Sequence, residues 1–168
     1  MRWIYFISVF LHILSAVTWI GGMLFLSLII VPVSRMELFR PISARFLHFS
    51  GVRFRTIGWI CLITLVLTGL LNLHFRGIHW ADAVNAAFWH SYFGRTLMLK
   101  IFMVVIILVI SALHDFWIGP RATEMMQQEN PPAKLQKFRR AASWIGRINL
   151  ILALSVVFLA IQLVRGKP

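Results

Sequence analysis

The chain contains four runs of apolar residues, each long enough to cross a bilayer as a helix, and this limits its fold more than anything else in the sequence. A hydrocarbon core of about 30 Å takes around 20 helical residues. Trp3–Pro32, Thr56–Phe75, Arg95–Gly119 and Ser143–Val164 all meet that length. Lipid offers the backbone no hydrogen bonds, so each run must satisfy its own as a helix. Of the 168 residues, 60% are hydrophobic and 13% charged, whereas soluble domains carry roughly 45–50% and about 25%. The expected fold class is an all-α membrane protein: a four-transmembrane-helix bundle forming one membrane domain over residues 1–168, with an interfacial helix before span two. The first run is longer than the about 7–15 residues of a signal peptide's apolar region. It leads into Pro32 and Arg35 and is expected to be a retained span.

Charge gives the orientation. The net charge is +12, from 17 Lys and Arg against 5 Asp and Glu. Such an excess can mark a nucleic-acid binder, but the apolar content excludes that partner. Eleven basic residues flank connections one and three, among them Arg35, Arg45, Arg53, Arg55, Arg121 and Lys137. Five lie with the termini and connection two, and Lys100 is inside a span. The positive-inside rule then places both termini on the periplasmic side of a bacterial-type inner membrane. Residues 33–55 alternate Arg with aromatic and aliphatic residues, which fits an interfacial amphipathic helix starting near Pro41 and touching anionic lipid headgroups. Glu129-Asn130-Pro131-Pro132 reads as a solvated loop, and His79 and His90 as wet loop residues.

Polar residues within the spans must turn toward the bundle and find partners. His12, Ser15, Trp19 and Met23 share one face of span one. Thr68 and Asn72 lie one turn apart in span two, and Lys100, Met103, Ile107, Ser111 and His114 follow a helical repeat in span three. In span four the expected inward row is Arg147, Ile151, Ser155 and Gln162. At about 1.5 Å per residue, His12, Lys100 and Met103 fall near one level, while His114 lies about 21 Å further along than Lys100. His12 and His114 differ in depth by about 15 Å and cannot share one haem iron.

Two cofactors stay open on these residues, copper as Cu(I) and haem b. Cu(I) favours thioether and imidazole ligands, and His12, Met98, Met103 and His74 are the candidate metal ligands. His12, Lys100 and His114 are the candidate cofactor-binding groups, because an ionisable side chain inside a membrane is a functional candidate by default. Cys61 is the single cysteine, so no internal disulfide can form. No Walker loop, dinucleotide fingerprint, HExxH motif or in-span acidic pair occurs, which argues against ATP-driven transport and a carboxylate proton relay.

Leu11-His12-Ile13 leading to Thr18-Trp19-Ile20-Gly21-Gly22, Gly58-Trp59 through Thr68-Gly69-Leu70, and Gly94-Arg95-Thr96-Leu97-Met98-Leu99-Lys100 together resemble the CopD-type copper-resistance membrane family. They resemble, more distantly, the HemJ-type protoporphyrinogen oxidases. The CopD resemblance implies copper handling or transport across the membrane, with His12 and nearby Met residues contacting the ion. The HemJ resemblance implies a haem-b membrane oxidoreductase in which His12 and Lys100 serve haem or porphyrin carboxylates. This chain departs from the HemJ pattern, lacking a Lys shortly before His12 and spacing Lys100 and His114 widely. A third reading is an accessory subunit of a larger membrane complex, or a homo-oligomer, with Gly21-Gly22 and Gly69 as close-contact points between helices.

Overall fold

The computed structural model describes residues 2–126 and 134–166. The expected loop at Glu129–Pro132, and Lys167, lie outside the described residues. Four helical stretches are long and apolar enough to span a membrane: Arg2–Val33, Ser43–Phe75, Tyr92–Arg121 and Leu135–Arg165. The first stretch is α1 (Arg2–Phe25), a π-helical segment Leu26–Ile30, and the single turn α2 (Val31–Val33). A 3₁₀ segment, Glu37–Ile42, then leads into α3 (Ser43–Phe75). Short helices α4 (Trp80–Ala83) and α5 (Ala86–His90) cross one end of the bundle. Helix α6 (Tyr92–Leu113) continues through a second π segment, His114–Ile118, into α7 (Gly119–Met126), and α8 (Lys134–Arg165) completes the chain. No strand occurs among the described residues.

The expected interfacial helix is present as the first turns of α3, continuous with the span. Pro41 lies inside the 3₁₀ segment rather than at the start of the helix. At 33 residues, α3 is about 50 Å long, well beyond the hydrocarbon thickness.

Local chemistry explains the helix ends. Helix α3 stops in a Schellman motif: Ile78 N–H donates to Leu73 O at 3.2 Å and Gly77 N–H to His74 O at 3.0 Å. Gly77 adopts φ +78°, which an L side chain resists. Ser91 caps α6 by accepting from Gly94 N–H at 3.0 Å, and Asn85 caps α5 by accepting from Ala87 N–H at 3.0 Å. Each π segment ends two residues before a proline, Pro32 and Pro120. Proline lacks the N–H for the i−4 bond and its ring crowds that carbonyl, so the wider turn accommodates it.

Packing divides the bundle into two hairpins. Helix α1 packs chiefly on α3 and α6 chiefly on α8, and α1 against α8 joins the pairs. The core holds Trp19, Cys61, Leu62, Ile107 and Ala153, one or more from each long helix. Residues such as Phe6, Leu67, Val109 and Ile161 cover the outside, as lipid requires.

The α1–α3 interface alternates large and small groups. A Cβ on Gly69 would stand 3.5 Å from His12 Cε1, one on Gly58 3.4 Å from Trp19 Cδ1, and one on Gly22 inside the Phe54 ring. Ring packing of Tyr5 on Phe75, at 5.6 Å, closes the ladder.

Span four corrects the expected inward row. Arg147 and Ile151 are exposed, Ile151 by 63%, and the buried face runs through Asn149, Ala153 and Leu159. Ser155 returns its hydroxyl to Ile151 O at 3.0 Å and needs no inward partner. Arg147 lies over Trp144 at 5.5 Å. The small side chain of Ala153 lets α8 come close to the other helices.

Candidate functional site

Polar side chains inside the bundle gather at two levels with the apolar core between them, rather than along one continuous seam. The first level, toward the end bearing both termini, joins α1 to α3. Ser8 Oγ donates to Asn72 Oδ1 at 2.8 Å and lies 3.4 Å from Thr68 O. His12 Nδ1 lies 2.8 Å from Thr68 Oγ1.

This arrangement fixes the imidazole tautomer. The Thr68 hydroxyl has one proton and gives it to the Thr64 carbonyl at 2.5 Å, so toward His12 the oxygen accepts. Nδ1 therefore carries the hydrogen, and Nε2 keeps its lone pair. Nε2 has no hydrogen-bond partner among the described residues. A histidine whose far nitrogen donates to a fixed acceptor has the tautomer and orientation of a metal ligand.

Lys100 is half-buried on α6, and its charge acts on His12 while Arg76 acts on it in turn. No carboxylate pairs with it among the described residues. Arg76 donates to Leu163 O at 3.4 Å, linking the ends of α3 and α8. Met98 faces outward, 53% exposed. Met103 is half-buried and lines a shallow groove between α6 and α8 with Ile151, Leu154, Ser155, Phe158 and Leu159. His74 is exposed at the end of α3, its ring 5.4 Å from that of His79.

The second level lies toward the basic end. His114 Nδ1 donates to Asp115 Oδ1 at 2.9 Å, Trp59 Nε1–H to Asp115 Oδ2 at 3.0 Å, and Arg55 Nη1 to the Asp115 carbonyl at 3.1 Å. Both carboxylate oxygens are thus engaged, and the π turn carrying them is tied to α3. Close by, Asn149 Nδ2 donates to Ser111 Oγ at 2.9 Å, and the buried Asn149 Oδ1 has no partner among the described residues. Sequence reasoning passed over Asn149 and the Trp59–Asp115 bond. An amide in an apolar run was the available signal for the first.

The residue pattern from 51 to 163 matches the family described as copper resistance protein D, CopD. The chain belongs to the CopD family. A relative from Aquifex aeolicus (strain VF5), described as an uncharacterized protein, is 32% identical over 163 residues, 94% of this chain and 93% of its own length. No solved structure matches. In this CopD chain, Thr68, Asn72, Lys100, His114 and Asp115 lie within the matched segment, while His12 precedes it.

Copper association follows from the family, and the donor chemistry can be tested against it. His12 Nε2 is a suitable Cu(I) ligand. No cluster of three or more His, Cys, Asp or Glu side chains arranged for a metal occurs among the described residues. The His12 level offers one oriented imidazole. The same chemistry gives haem b little support, because His114, the other histidine deep in a span, is held by Asp115 at the opposite level.

Proposed function

We propose that this CopD protein passes Cu(I) through the inner membrane of a bacterial-type cell, with both termini on the periplasmic side. The observation that carries the reading is the His12–Thr68–Thr64 relay, which holds one imidazole inside the bundle with Nε2 available. The relay is built from backbone and hydroxyl groups and brings no negative charge, so a monovalent cation is held weakly enough to leave. The nearby Lys100 charge opposes long residence of a cation for the same reason. The orientation rests on the exposed Arg35, Arg45, Arg53, Arg121 and Arg140 at one end of the bundle.

The test is copper flux into proteoliposomes together with Cu(I) stoichiometry of the purified protein. His12→Ala is expected to lose the bound ion and to slow flux at least tenfold. Flux and stoichiometry equal to wild type reject the assignment.

A further inference from the structure

We propose that His74 and His79 form a two-imidazole capture site for Cu(I) at the end of the bundle that bears both termini. The two rings lie 5.4 Å apart between centroids and are tilted by 57°. Two imidazoles on opposite sides of one ion, at a metal–nitrogen distance of about 2 Å, have centroids roughly 6 Å apart, so the two exposed side chains need to open by only about 1 Å to bring both nitrogens to bear. Both side chains are exposed. The backbone between them is fixed: His74 accepts the Gly77 bond in the Schellman turn, and His79 begins α4.

The donor count selects the ion. No third His, Cys, Asp or Glu completes a cluster here among the described residues. The nearest acid, Asp82, is occupied by the His79 backbone N–H at 2.8 Å. Two nitrogen ligands satisfy Cu(I), whereas Zn(II) takes four.

The start of α4 is held by the backbone of His79: Asp82 N–H donates to the His79 carbonyl at 3.0 Å, and His79 N–H donates to Asp82 Oδ2 at 2.8 Å.

The identity of the ion rests on the copper reading above, while the geometry of the pair does not. The experiment titrates the full-length detergent-solubilised protein with Cu(I) against a chromophoric chelator, and separately with Zn(II). His79→Asn is the informative variant, because asparagine caps a helix but offers no imidazole. His79→Asn and His74→Ala are each expected to lose one Cu(I) equivalent, or at least tenfold in affinity, which His12→Ala retains. Equal copper binding in wild type and His79→Asn overturns the site, whatever His12→Ala does. Zn(II) held as tightly as Cu(I) overturns the two-ligand assignment.

Discussion

The two intramembrane histidines, His12 and His114, are both anchored through Nδ1, but their partners differ in what they leave over. His12 donates to a threonine hydroxyl whose own proton is passed to a backbone carbonyl. The relay adds no charge and is closed on one side of the ring only. His114 donates to a carboxylate that also takes the Trp59 indole, while Arg55 binds the same residue's backbone. That cluster fastens a π turn to α3. Intramembrane ionisable groups alone do not separate an open ligand from a structural tie; the number of donors already satisfied by the partner does.

The largest expected effect comes from removing the tie. Asp115→Ala leaves the Trp59 and His114 donors without acceptors and should lower stability by roughly 2–3 kcal/mol, read as a fall in thermal midpoint in detergent. Copper binding at His12 should be unchanged, because the Trp19–Ile107 core lies between the two clusters. Loss of copper in that variant would erase the contrast.

The converse variant is Thr68→Val, which keeps the side-chain shape and removes the acceptor for His12. Copper affinity should fall about 10- to 100-fold, the usual consequence of deleting the group that orients a metal-bound histidine. Melting curves should shift by about 1 kcal/mol or less in terms of stability. A shift in melting with intact affinity would move His12 into the same class as His114.

Ser111→Ala sharpens the middle of the comparison. It strips Asn149 of the partner it holds at 2.9 Å and should cost about 1–2 kcal/mol. Pairing it with Asn149→Leu should restore stability to within about 1 kcal/mol of wild type, since no unpaired polar group then remains. A double variant no more stable than Ser111→Ala would show that the Asn149 amide has a further role.

The smallest effect is expected at Gly69. Its added Cβ would stand at ordinary contact distance from His12 Cε1, so Gly69→Ala should leave copper binding unaltered and gain about 0.5 kcal/mol from helix propensity. A drop in affinity would show that the ring needs more freedom than the structure gives it.

Much of this was legible from apolar run lengths and from the rule that buried polar groups face partners. The inward turn of Thr68 and Asn72, and the inward face of span three through Ile107 and Ser111, follow from helical spacing; that Thr68 and Asn72 meet span one does not. Span four misled at Arg147 and Ile151, because an arginine is more conspicuous than Asn149 and Ala153. Exposed helix sites accommodate a self-bonded serine or an arginine over a tryptophan without any inward partner. The two π segments had a local signal, a proline two residues beyond each, which span counting does not use.

By itself, the sequence determined the solvent and the number of crossings, because these depend on apolar length. Which nitrogen of His12 is left open was decided only by the tertiary structure. That property arises where Thr64, Thr68 and His12 from two helices meet, and no spacing along one chain segment encodes the direction of a shared proton.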